Sequence, residues 1–398
     1  MTDRKGERTD FRQLLPVYGA GFVTAFGAHA VAADLGGYTL GHHQGLFALG
    51  LILGIYDVAE ILLKPLFGMV VDRCGAKGVM VGGLAAFGLA SATFAASGDP
   101  HLLGAARFAQ GAAAAAFSPA ASVAVATFGG TTRTGRFFGG YGGAKGIGYL
   151  LGPIVGGALV VAGSYRLLFA VLGVVGLLAA IAVACMMPDV RSARGPRAGV
   201  GALVRHLTQP AFVQPTLLLA GGTAALAAGV GFLPVLGLRQ HLSPLATGSL
   251  VSLLAATAAV VQPWAGRRLD QARLHAATGA AALVACAGGF ALLLVLPTPA
   301  GMAVAAVTIG AGVAVVTPLG FARLAAGAPP GRIGQTMGAG EVGRELGDAG
   351  GPVLVGTFST VTLRTGFFAL AMALVTCAAV AVPKGSAHRV EGTPAPDH

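Results

Sequence analysis

Residues 57–73 read DVAEILLKPLFGMVVDR. Most of the stretch is apolar, and the residues before it continue the apolar run, so it reads as a buried helix. Yet Asp57, Glu60 and Lys64 sit inside it, and Asp72 and Arg73 close it. At 100° per residue, Asp57, Glu60 and Lys64 fall within roughly 60° of arc and face the same surroundings. A charge in hydrocarbon is costly, so charges kept there are paired or functional.

The rest of the chain shows that hydrocarbon is the right reference. Of 398 residues, 55% are hydrophobic and only 10% charged, with a mean hydropathy of +0.76. A soluble domain carries about 25% charged residues, so this composition describes a multi-pass membrane protein. A helix needs roughly 20 apolar residues to cross a bilayer. Twelve segments qualify, at about 14–33, 44–69, 78–97, 102–126, 137–161, 166–187, 211–236, 244–263, 276–296, 300–322, 332–358 and 365–383. Barrel strands would alternate and be about half as long. An all-α membrane protein is expected. The polar first dozen residues run straight into a span, so no cleavable signal peptide is expected.

Basic residues orient the spans. With both termini in the cytoplasm, 19 of the 26 Lys and Arg fall in cytoplasmic segments, and the outer segments hold only Arg166, Arg239 and Arg364. Lys64, Arg107, Lys145 and Arg344 lie within spans. The net charge of +11 is therefore topogenic, and a nucleic-acid partner is not expected. Cys74, Cys185, Cys286 and Cys377 are far apart and suggest neither a metal site nor a disulfide framework. The abundance of Arg, Ala and Gly points to a GC-rich bacterium and hence to the cytoplasmic (inner) membrane.

The chain repeats itself. Lys64-Pro65, Gly68 and Asp72 recur as Gln262-Pro263, Gly266 and Asp270 at an offset of 198. Lys145, Gly148 and Gly152-Pro153 recur as Arg344, Gly347 and Gly351-Pro352 at an offset of 199. The expected organisation is a six-helix bundle at 1–187, a cytoplasmic linker at 188–210 with a short surface helix near Val200–Leu207, a second six-helix bundle at 211–383, and a cytoplasmic tail at 384–398. Duplicated halves with a site between them are a transporter signature.

Three motifs carry a family resemblance. They are GMVVDRCGAK (68–77), RFAQG (107–111) and GYLLGPIVGG (148–157). They resemble the loop motif between spans two and three, the span-four motif and the span-five antiporter motif of the major facilitator superfamily, and in particular of its twelve-helix drug:proton antiporters. The resemblance covers essentially the whole chain and implies two pseudo-symmetric six-helix bundles. It implies an inner gate at Gly68, Asp72, Arg73, Gly75 and Lys77, with Asp72 facing the start of span eleven, where the helix dipole favours an anion. The second copy has Gln271 and Arg273 where Arg73 and Gly75 stand, so the first copy is expected to carry the gate. The resemblance places Arg107 in proton coupling, with Gln110 on the same side. It places Gly148, Gly152, Pro153, Gly156 and Gly157 at the interface of the two halves.

It also packs spans two and eleven together. Depth counting then brings Lys64 to Glu341 and Glu60 to Arg344, with Asp57 near Glu345 or Asp348 and no cation to spare. Crowded carboxylates cannot all ionise, so one holds a proton. Asp57 with Glu345 or Asp348 is the expected proton site, and His29 is a further titratable candidate. Gln110 and Lys145 are candidate substrate contacts. The function expected is proton-coupled efflux of a small organic molecule by alternating access, with an uptake carrier or an exporter of a small anionic metabolite as the alternative. No cofactor besides the proton, no enzymatic activity and a monomeric state are expected.

Overall fold

The computed structural model describes residues 13–31, 46–97, 100–130, 132–189, 205–272 and 276–382, and every long element among them is an α-helix. The first bundle contains α1 (Gln13–Val31), α2 (Leu46–Cys74), α3 (Ala76–Ser97) and α4 (Pro100–Gly129). It ends with one helical stretch, Thr134–Met186, broken at Gly163 and Ser164, where Ser164 has φ 75°. The break divides it into α5 (134–162) and α6 (165–186). The second bundle contains α7 (Pro210–Arg239), α8 (Pro244–Ala272), α9 (Ala276–Val295), α10 (Pro299–Ala326), α11 (Ile333–Phe358) and α12 (Leu363–Ala381). Most of the expected linker (190–204), including Val200–Val204 of the expected surface helix, and the tail beyond residue 382 lie outside the described residues; residues 205–207 form one helical turn.

Length and apolar composition alone would find nearly all of these spans. The exception that its own residues explain is α11, where Glu341, Arg344, Glu345 and Asp348 interrupt the apolar run. Local signals set the ends. Thr298 caps α10 by accepting from Gly301 N–H at 3.2 Å, and Thr362 forms a capping box with Thr365 on α12. Gly75, at φ 90°, makes the turn from α2 into α3 that a side chain would resist.

Within each bundle, close approach depends on missing side chains. Gly88 and Gly173 join α3 to α6, and Gly310 lies against Leu254 and Thr257 of α8. Large apolar side chains such as Leu62, Val161, Val260 and Val295 are exposed. That perimeter suits lipid rather than water. The bundles meet along two seams, α2 against α11 and α5 against α8. These pairs are exchanged by the internal repeat.

Candidate functional site

At one end of the molecule the seams are sealed in the same way. Asp72 accepts hydrogen bonds from the backbone N–H of Gly334 (2.6 Å) and Gln335 (2.8 Å), at the start of α11. Asp270 accepts from Gly135 and Arg136, both at 2.8 Å, at the start of α5. Each carboxylate satisfies N–H groups that the first turn of a helix cannot bond internally, and each meets the positive end of a helix dipole. Gly68 lies directly on the Gly334 carbonyl and Gly266 on that of Gly135. The second copy of the motif, expected to be degraded, makes the same contact as the first. The carboxylate and the glycine are common to both copies, while Arg73 is exposed and Lys77 half-buried. Behind these contacts, Phe138 of α5 stacks on Phe321 of α10 with ring centroids 5.2 Å apart, within an apolar cluster drawn from both bundles.

A cavity of about 700 Å³ lies between the bundles. It is lined from the middle of the helices toward the end opposite Asp72 and Asp270. The size suits a drug-sized molecule. Among the charged groups on its wall are Asp57, Arg107, Lys145, Arg344, Glu345 and Asp348.

The α2–α11 seam holds the charges that the sequence placed there, in a different pairing. Lys64 is fully buried, and its Nζ lies 2.6 Å from Glu345 Oε1, 3.3 Å from Glu60 and 3.9 Å from Glu341. Arg344 bonds Glu341 through Nε at 3.1 Å and reaches Glu345 through Nη2. Ser122 of α4 donates to Glu341 at 3.2 Å. The expected Glu60–Arg344 pair is replaced by Glu60–Lys64 within α2, and the tightest bridge from Lys64 goes to Glu345 rather than Glu341. Glu341 and Glu345 are one turn apart, so a shift of one turn in the α2–α11 register decides between them. Glu345 is held by two cations, whereas Asp57 and Asp348 both sit at the cavity with their side chains exposed.

Arg107 is buried, stacks over the Tyr56 ring at 4.3 Å and bonds Gln110 at 3.2 Å. Gln110 passes the contact to Ser91 at 2.8 Å and is fully buried among α3 and α4. It does not line the cavity, contrary to the expectation that it contacts substrate. His29 does line it, with its ring 4.3 Å from Tyr149 and Nδ1 3.2 Å from the Ala25 carbonyl.

The glycine motif of span five also moves. Gly148, Gly152 and Gly156 face α1, where added Cβ atoms would meet Phe22 O at 2.6 Å, Phe26 O at 2.9 Å and Ala30 Cβ at 2.8 Å. Gly347 and Gly351 of α11 repeat this against α7. These glycines pack helices inside a bundle. A second stripe on α5, Gly135, Gly139, Gly143 and Gly146, makes the seam with α8. Pro153 lines the cavity, and Gly157 is half-buried. Gln262, which no motif singled out, also reaches the cavity; its position as the repeat counterpart of Lys64 was the available signal.

Comparisons with known proteins agree with this architecture. A solved human organic anion transporter, MFSD10 (TETRAN), superposes with a TM-score of 0.76 at 18% identity, over 94% of this chain and 99% of that one. The outward structure of FucP superposes with a TM-score of 0.72 at 14% identity, over 92% and 98%. Among curated proteins, the chain is 30% identical over 181 residues to a probable actinorhodin transporter of Streptomyces coelicolor, covering 44% of this chain. It is 35% identical over 147 residues to the puromycin resistance protein pur8 of Streptomyces alboniger, covering 37% of this chain. The matched stretches span only 30% and 29% of those two relatives. The profile of the Major Facilitator Superfamily matches residues 17–352, and the chain belongs to that superfamily.

Proposed function

We propose that the protein is a proton-coupled exporter of a small organic molecule, working by alternating access in the bacterial inner membrane as a monomer with both termini cytoplasmic. The Asp72 and Asp270 end then faces the cytoplasm, and the structure is the outward-facing state. The observation that carries this reading is the charge balance at the α2–α11 seam. Lys64 and Arg344 stand against Glu60, Glu341 and Glu345, with Asp57 and Asp348 beside them at the cavity wall. Excess carboxylate in a low dielectric favours uptake of a proton. The cluster joins the two bodies that must rock apart, so a proton gained or lost there alters what holds them together.

Glu345 is engaged by two cations, which moves the proton to Asp57 or Asp348, both reachable from the cavity. Arg107, stacked beside Asp57 on Tyr56, would tune that site. The relatives named for actinorhodin and puromycin support an organic substrate and the export direction. The deciding experiment reconstitutes the protein in liposomes with an internal pH dye and imposes a substrate gradient. Proton movement that is lost in Asp57→Asn or Asp348→Asn, with substrate exchange retained, is the expected result. Unaltered proton movement in both variants would overturn the assignment, and proton-independent transport by the unmodified protein would overturn the coupling.

A further inference from the structure

The cavity has two unlike walls. On the α2–α11 wall, Glu60, Arg344 and Glu345 are bonded to one another or to Lys64 behind them. On the α5–α8 wall the repeat has removed the partners. The positions of Glu341 and Glu345 are taken by Gly142 and Gly146, and those of Asp57 and Glu60 by Ala255 and Ala258. What remains of the charges is Lys145, the counterpart of Arg344. Among the described residues its Nζ has no carboxylate within ion-pair distance and no hydrogen-bond acceptor; it lies 5.7 Å from the Tyr141 ring and feels Glu60, Glu341 and Glu345 only at longer range. Beside it on the same wall, Gln262 is 6% exposed and its Oε1 has no hydrogen-bond partner. The Tyr141 hydroxyl is buried without one as well.

Buried polar groups are ordinarily bonded, and leaving one unbonded is costly. An ammonium with no bonded acceptor on the cavity wall, and beside it a buried amide whose Oε1 packs against Gly142, form a site whose complement is missing from the described residues. We propose that Lys145 and Gln262 form the substrate's acid-binding subsite, and that the transported molecule is an apolar organic acid. Its carboxylate or phenolate pairs with Lys145, a neighbouring polar group meets the Gln262 amide, and its apolar body lies against Leu226, Val230, Val251 and Ala255. This rests on the transport reading but not on its proton coupling.

The test uses the purified full-length chain with Ser252→Cys as a cavity reporter, Cys74, Cys185 and Cys377 replaced by serine, and the buried Cys286 kept. Protection of the introduced thiol from a maleimide is titrated with 2-naphthoate, methyl 2-naphthoate and 2-naphthylmethylammonium. The acid is expected to protect at the lowest concentration. Lys145→Gln is expected to raise the half-protecting concentration of the acid roughly tenfold or more, the loss of one charge-assisted hydrogen bond. It should leave the ester unchanged, which also shows that the cavity is intact. Lys145→Arg keeps the acid preference, and Gln262→Leu weakens it. An acid titration unmoved by Lys145→Gln, or better protection by the ammonium, overturns the subsite while leaving the cavity as a binding site. No protection by any of the three overturns the cavity as a binding site and the transport reading with it.

Discussion

Lys64 on α2 and Glu345 on α11 share an ion pair of 2.6 Å that ties the two bundles together across a buried seam. Lys64 is the counterpart of Gln262, and Glu345 of Gly146, so this pair is not repeated at the other seam. Removing one partner of a buried pair strands the other charge, whereas removing both does not. Lys64→Met is therefore expected to cost about 3–5 kcal/mol of stability, and Lys64→Met with Glu345→Met to recover much of it. Melting of the two purified variants in detergent checks this. A single variant that melts like the unmodified protein would mean that the pair holds nothing together.

The closed end depends on two aspartates at equal and separate contacts. Each gives up two hydrogen bonds to charged oxygen when changed to alanine, worth roughly 1.5–3 kcal/mol apiece before relaxation. Asp72→Ala and Asp270→Ala are each expected to open this end, to similar extents, and the double variant to open it further, since distant contacts add. The readout is maleimide labelling of Met337→Cys, whose position is fully buried in the cluster behind the gate. If only Asp72→Ala raised labelling, the second copy would be as degraded as its sequence suggests.

The two glycine stripes of α5 predict two kinds of failure. A side chain at Gly139 would strike the Gln262 carbonyl across the seam, and one at Gly148 would come within 2.6 Å of Phe22 O inside the first bundle. Gly139→Leu is expected to yield folded protein with the closed end forced open, read by the same labelling of Met337→Cys. Gly148→Leu is expected to lower the yield of folded protein without that signature. Identical behaviour of the two variants would show that the faces are not distinct in solution.

Much of this is legible in the sequence. Apolar length gave the spans, the 198–199-residue offset gave the two halves, and the family resemblance of residues 68–77 pointed Asp72 at the start of α11. What stayed hidden depends on contacts a one-dimensional pattern does not fix. Lys64 selects Glu345 over Glu341 because of how α2 crosses α11, and those carboxylates differ by one turn. The α5 glycines occur on two faces, and the sequence does not say which face meets which helix. Gln110 resembles a cavity residue until Arg107 and Ser91 turn it inward. Lys145 and Gln262 gained meaning from what their neighbours lack.

His206 makes the last prediction. It lies in the turn before α7, outside the spans, where its Nε2 is 3.1 Å from Thr336 Oγ1 on α11, next to the residues that hold Asp72. Burial lowers its pKa below the ordinary imidazole value and the nearby Arg332 adds to this, against a raising bond with Gln209. The sign follows by linkage. The folded state binds the proton less readily than the unfolded chain, so the contribution is fully present above the unfolded value of about 6.5 and is lost as pH falls through the lower folded value. The protein is expected to lose stability on acidification from about pH 7. His206→Gln, which keeps a hydrogen-bonding group but cannot titrate, is expected to flatten that part of the profile. Melting across this range in the two proteins checks it, and parallel profiles would remove His206 as the cause.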